Sequence, residues 1–245
     1  MSQLYDQQLL KEAAGWKQDA YRLFAEKLSS TADPFPCIPA VKGFKSGQLR
    51  YAFGGDPRRE EGSQSLAKAL KAFGEKAKDF GSYTSLIFFF QTPAEVQGSY
   101  SVKEYEELFW FILSETGKYD EMEWPGHIPE NPMDSAWEYC FCGEQYFVYC
   151  GTPAHTSRKS RSFPYLMLAI TPRWVLDVFN AKPAFASRVK ENIRNRLENY
   201  DAVPAHPDLN QYGNDDNFEW KQYFLNDDQS ASAACPFHRL HRLKK

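Results

Sequence analysis

Trp124 to Phe163, WPGHIPENPMDSAWEYCFCGEQYFVYCGTPAHTSRKSRSF, is the stretch whose reading decides the fold. From Trp137 to Cys150 it is almost uninterrupted aromatic and β-branched sequence, broken at Gly143-Glu144, the pattern of two short strands joined by a tight turn. A two-residue connection there sets Cys142 opposite Gln145 and Cys140 opposite Phe147. Alternation puts Cys140, Cys142, Gln145, Phe147 and Tyr149 on one face, and Tyr139, Phe141, Tyr146, Val148 and Cys150 on the other. Adjacent hairpin strands with helices between the remaining strands imply an α+β class: a mostly antiparallel central sheet flanked by helices, in a single domain.

The face split bears on metal. Cys140, Cys142, Cys150 and His155 have ligand types that zinc prefers, but Cys150 falls on the opposite face and the Cys142 to Cys150 separation is no zinc knuckle. Small apolar residues filling strand positions is the better reading of these thiols. Beyond the hairpin, Gly151-Thr152-Pro153 must leave the ladder, and the loop that follows carries His155, Arg158, Lys159 and Arg161 among hydroxyl residues. Such a loop suits an anionic ligand: the imidazole offers a lone pair or a proton, and the guanidinium groups hold carboxylates by forked hydrogen bonds. A solvated basic loop, whose cations add little to the core, fits the spacing equally well.

Working outward, Leu9, Ala13, Trp16, Ala20, Leu23, Phe24 and Leu28 recur at helical steps and predict one amphipathic helix from Leu4 to about Leu28. Pro34, Pro36 and Pro39 then hold an extended loop in which Cys37 is fixed, either as a structural thiol or beside a ligand. A strand is expected over Gln48 to Phe53, and a helix capped by Ser63 and running to about Phe80. The apolar run Ser85 to Phe90 reads as a central strand, Ser101 and Glu104 as a capping box, and Leu166 to Ile170 as a further strand. A short helix or turn at Trp174 to Phe179 and a basic helix from Pro183 to about Asn199 complete the body.

From about residue 200 the chain mixes prolines, acids and aromatics, which reads as an ordered segment wrapping the body. His206, His238 and His241 are expected at its surface, and Asp56, Glu144, Asp215 and Glu219 are carboxylates available to a cationic substrate. A net charge of −3 with no long basic tract gives no reason to bind nucleic acid. No run approaches the roughly 20 apolar residues that span a bilayer, so no membrane association is expected. Five cysteines, an odd number, fit a reducing, cytoplasmic compartment.

Several blocks in order then carry a resemblance: the Pro34 to Cys37 loop, IPENPMDSAWEYCFCG with the following histidine and SRKSR, YGNDD, EWKQYFL and the terminal Cys-Pro-Phe. Together they resemble the YqcI/YcgG family from about Phe35 to Phe237. The resemblance implies a haem-dependent N-oxygenase that hydroxylates an amine or guanidine nitrogen of a small, arginine-like substrate, with an external electron donor as redox partner and a homodimer left open. It assigns His155 to the iron, Arg158 and Arg161 to the haem propionates and Cys37 to the cofactor's surroundings. Family members place a His-Pro pair before the Ser-Arg…Arg-Phe run, whereas this chain has Thr152-Pro153-Ala154-His155. That departure favours a second expectation, a haem or small-ligand binding protein without turnover. A third, a hydrolase using Cys37 or Cys235, lacks a nucleophile elbow.

Overall fold

The run LIFFF forms β2 (Leu86–Phe90), whose five residues are all buried. A strand apolar on both faces needs cover on both, and the computed structural model, which describes residues 3–201, 203–209 and 217–239, supplies it with helices on each side. β1 (Arg50–Gly54) lies parallel to β2. β5 (Met167–Pro172) pairs antiparallel on its other edge, with Leu86 opposite Ile170. β4 (Glu144–Gly151) pairs antiparallel with β5, and β3 (Tyr139–Phe141) closes the far edge. The order β1-β2-β5-β4-β3 is the mostly antiparallel sheet of an α+β domain, its single parallel pair joined by α4 (Glu60–Gly74).

On one face α4 packs Leu66, Leu70 and Phe73, and α6 (Val102–Gly117) packs Phe109, Ile112 and Leu113, against Phe88, Phe90, Leu168, Ile170 and Val148. On the other face α2 (Trp16–Ser29) sets Ala20, Phe24 and Leu28 against Tyr51, Ile87, Phe89 and Met167. Each buried phenylalanine contributes about 2–3 kcal/mol of transfer free energy, so LIFFF anchors both halves of the core.

Several expectations are corrected. The first helix is two: α1 (Gln7–Lys11) stops before Gly15, whose φ of 64° breaks the helix, and α2 starts at Trp16. The Pro34 to Pro39 loop ends early, because Pro39 needs no intrahelical N–H in the first turn of α3 (Ile38–Lys45), and Cys37 is its N-cap residue. Ser63 lies inside α4, buried and not capping. α4 itself ends at Gly74 and a 3₁₀ turn, Ala77–Phe80, follows. The short helix α5 (Ala94–Ser99) carried no expectation. The capping box at Ser101 and Glu104 is present, with both reciprocal bonds made.

The hairpin turn sits one residue earlier than expected. Cys142 (φ 50°) and Gly143 (φ 74°) form the two-residue loop, so Cys140 faces Gln145 and Tyr139 faces Tyr146. Both loop residues need positive φ, and the Cys142 N–H is held by Asp120 Oδ2 at 3.0 Å. The face assignment survives for the strand residues: Tyr139, Phe141, Tyr146, Val148 and Cys150 enter the core shared with α4 and α6. α7 (Arg173–Asn180) and α8 (Pro183–Asp201) follow β5, and α9 (Trp220–Tyr223) is a single turn inside the C-terminal segment.

Candidate functional site

Thr152 to Phe163 leaves β4 as a closed loop. Its neck is zipped by the Thr152 N–H on the Arg161 carbonyl at 2.9 Å and the Phe163 N–H on the Thr152 carbonyl at 3.0 Å. The Arg161 N–H donates to the Arg158 carbonyl at 2.8 Å, tightening the tip. Successive backbone N–H groups therefore converge, as an anion-binding nest does. An anion occupies it, and it belongs to the chain: Asp227 accepts from the N–H groups of Thr156 (2.8 Å), Ser157 (3.1 Å) and Arg158 (2.9 Å) and from the Thr156 hydroxyl. Burial pushes the Asp227 carboxyl up, but these donors outweigh it and hold the group below its ordinary range.

The three nominated side chains are buried: His155 is 2 %, Arg158 1 % and Arg161 4 % exposed. Arg158 donates to the carbonyls of Asn226 (2.7 Å), Asp228 (3.0 Å) and Pro204 (3.2 Å). Arg161 donates to those of Tyr223 (2.8 Å), Gln222 (2.9 Å) and Cys150 (3.3 Å), and its guanidinium lies 4.2 Å from the Tyr149 ring centre. The expected contribution of a loop cation, little to the core, is thus corrected: both fasten the C-terminal segment, hereafter the strap, to the sheet. A second carboxylate, Asp201 at the end of α8, accepts from Ser160 N–H (2.6 Å) and Oγ (2.8 Å).

His155 is held at both ring nitrogens. Nε2 donates to the Leu225 carbonyl at 2.8 Å, which leaves Nδ1 to accept from the Thr152 hydroxyl at 2.8 Å. Burial lowers its pKa to about 4, so the ring is neutral at physiological pH. Cys37, half-buried at the head of α3, packs in the core on the other face of the sheet, and burial raises its thiol pKa. As placed, these residues do not fit a haem. The imidazole has no lone pair free for iron, and the guanidinium groups are turned onto main-chain carbonyls rather than toward propionates. Among the described residues no cluster of three or more histidine, cysteine or acidic side chains is arranged to hold a metal ion.

The strap's other anchor was only half visible in the sequence. Arg173, the first residue of α7, donates from Nε to Glu138 at 2.7 Å and from Nη2 to Glu219, with all three side chains buried. Glu138 shows itself only as a charge interrupting the aromatic run between Trp137 and Tyr139. The Tyr223 hydroxyl receives the Tyr139 N–H (3.2 Å) and lies against the Tyr146 carbonyl (2.9 Å) and Glu219 Oε1 (3.2 Å). Burial raises Glu219 to about 7 despite Arg173. Trp110, Trp137, Trp220, Tyr223 and Phe237 pack together beside this network.

Of the other carboxylates, Asp56 is paired with Arg58 at 2.6 Å, Glu144 is half-buried at the hairpin, and Asp215 lies outside the described residues, as does His241. His238 is exposed, as expected. His206 is not a surface residue. It is 1 % exposed, donates from Nε2 to the Ser230 carbonyl (3.1 Å) and accepts the Asp208 N–H (3.2 Å) inside the strap.

The model of the YqcI/YcgG family matches residues 24–238, which includes the sheet, the loop and the strap. The chain belongs to the YqcI/YcgG family. Among its relatives, the uncharacterized protein YqcI of Bacillus subtilis (strain 168) is 47 % identical over 249 residues, covering 100 % of this chain and 98 % of that protein. The uncharacterized protein YcgG of the same organism is 46 % identical, covering 97 % of this chain and 94 % of YcgG. A more distant member, the putative N(omega)-hydroxy-L-arginine synthase DcsA of Streptomyces lavendulae, is 30 % identical over 94 % of this chain and 87 % of DcsA. No solved structure matches the chain significantly. Among the described residues no helix is long and apolar enough to cross a membrane.

Proposed function

We propose that this YqcI/YcgG-family protein is an N-oxygenase that adds one oxygen atom to an amine or guanidine nitrogen of a small, arginine-like molecule. The observation that carries this reading is the 30 % identity to DcsA across 94 % of the chain. The reaction balances as R–NH₂ + O₂ + 2e⁻ + 2H⁺ → R–NHOH + H₂O, with the electrons from an external donor. Dioxygen activation calls for a redox group, and haem is the one the family resemblance implies. As His155 is placed, neither of its ring nitrogens is open to an iron.

What the chain's own residues contribute is a buried, rigid wall. The strap is fastened to β3 and β4 by Arg173 between Glu138 and Glu219, beside an aromatic cluster. The purified protein, given arginine or a small amine with a reductant and ¹⁸O₂, is expected to yield a product heavier by one ¹⁸O atom. A second reading, a binding protein on the same scaffold without turnover, is favoured by the two occupied ring nitrogens of His155. Retained ligand binding with no oxygen incorporated would leave only that second reading.

A further inference from the structure

His206 is buried inside the strap and joins its two arms. Its Nε2–H donates to the Ser230 carbonyl at 3.1 Å, an acceptor shared with the Asn226 side-chain amide at 3.3 Å. Its Nδ1 accepts the main-chain N–H of Asp208 at 3.2 Å, and the Leu209 N–H closes on the His206 carbonyl at 3.0 Å. A side-chain acceptor that takes the N–H two residues on makes an Asx-type turn, formed here by an imidazole. This arrangement needs the neutral ring, with its proton on Nε2 and a lone pair on Nδ1.

An added proton goes to Nδ1, where it meets the Asp208 N–H. At His155 the group on Nδ1 is the Thr152 hydroxyl, which can turn and accept; at His206 it is a main-chain N–H, which cannot. A replacement partner is already in place, because Asp208 Oδ2 stands 3.4 Å from Nδ1. The Ser230 bond survives the change, since Nε2 is a donor in both charge states. Among the described residues, the other charged groups facing the ring are Arg158, Arg161 and Asp228. Burial opposes the charge, with the two arginines adding to it, and outweighs Ser230 and Asp208, so the imidazole sits below its ordinary 6.5.

We propose that His206 is an acid-operated switch in the strap: a proton on Nδ1 exchanges the Asp208 N–H for the Asp208 carboxylate, remaking the turn over residues 206 to 209 while the tie to Ser230 holds. For a depressed imidazole the neutral arrangement is complete above pH 6.5 and is lost as pH falls through the folded value. The effect reaches the loop after β4, because the Pro204 carbonyl, two residues before the ring, is one of the three that Arg158 holds.

The test follows the ¹⁵N-labelled full chain by NMR from pH 7.5 to 4.5, reading the His206 ring nitrogens and the Asp208 amide. Nδ1 is expected to be unprotonated at pH 7.5 and to gain its proton with a midpoint below 6.5. Across that midpoint the protection of the Asp208 amide against hydrogen exchange, corrected for the intrinsic pH dependence, should fall by about tenfold. His206→Asn keeps a side-chain acceptor for the Asp208 N–H and cannot gain a charge, so its protection should stay level over the same range. Asp208→Asn keeps the N–H and removes the carboxylate, so it should lower the His206 midpoint by about one unit. A ring protonated at Nδ1 at pH 7.5, Asp208 protection that does not change across the midpoint, or a midpoint unmoved in Asp208→Asn would each overturn the proposal. Should His206→Asn fail to fold, the Asp208→Asn midpoint decides alone.

Discussion

Replacing Glu219 with glutamine should make the protein more stable at pH 8, although it removes one half of a buried ion pair. The reason is a count of hydrogens at Tyr223. Its hydroxyl has one proton, already receives the Tyr139 N–H, and faces two acceptors, the Tyr146 carbonyl at 2.9 Å and Glu219 Oε1 at 3.2 Å. If Glu219 is ionised, one of them goes without a donor. If Glu219 carries the proton, it donates to Tyr223, Tyr223 donates to Tyr146, and Arg173 still reaches Oε2. Glutamine reproduces that second pattern with a fixed N–H donor. Burial raises the folded pKa to about 7 from the ordinary 4.5, so the native state binds the extra proton between those values. Stability from this group is complete below about pH 4.5 and lost as pH rises to about 7, at most about 3 kcal/mol at 1.4 kcal/mol per unit.

His155 pulls the other way. Its pKa is depressed from 6.5 to about 4, so its contribution is complete above 6.5 and lost as pH falls to about 4. In the wild type the two slopes oppose one another between about pH 4.5 and 6.5. Urea unfolding from pH 4.5 to 8.5 should therefore show that Glu219→Gln matches wild type at the acid end, gains steadily to about pH 7, and keeps the gain above it. A Glu219→Gln protein less stable than wild type at pH 8, or a wild-type minus variant difference independent of pH, would refute the hydrogen count.

The remaining expectations concern the strap and the turn. Arg161→Ala leaves the carbonyls of Tyr223, Gln222 and Cys150 without their donor inside the core and should cost about 3–5 kcal/mol in denaturant unfolding. Asp227→Ala empties the nest at Thr156 to Arg158; it should cost about 2–4 kcal/mol and speed amide exchange at those three N–H groups selectively. Cys142→Asn puts a residue that tolerates positive φ at the first position of the hairpin loop while keeping the backbone bond to Asp120, and should raise stability by about 0.5–1 kcal/mol. Phe88→Ala, at the centre of the apolar strand, should cost about 3–5 kcal/mol, read by thermal and urea midpoints.

Local pattern alone marked the elements whose determinants lie within a few residues. LIFFF is a buried strand because five consecutive apolar residues leave no solvent face, and Ser101 with Glu104 starts a helix because the capping partners are three residues apart. Gly15 was misread where its backbone overrode an apolar period, Pro39 where a proline taken to hold an extended loop sits in the first turn of a helix, and the hairpin loop moved by one because Cys142 accepted a positive φ. Alternation still gave the right faces, since the pleat repeats every two residues wherever the turn falls.

The loop was legible as a cation-bearing segment, suited equally to an anionic ligand or to solvent; its main-chain N–H groups hold the chain's own Asp227. That the anion is Asp227, that Arg158 and Arg161 are spent on strap carbonyls, and that His155 is closed at both nitrogens are contacts across 46 to 71 positions of sequence, which no local pattern encodes. The same holds for Arg173 between Glu138 and Glu219. Sequence by itself determined the strands, the longer helices and which of their faces are apolar, because neighbours decide those. Only the tertiary structure decided which buried polar groups satisfy one another, because each desolvated donor takes whatever acceptor the folded chain brings within hydrogen-bonding reach.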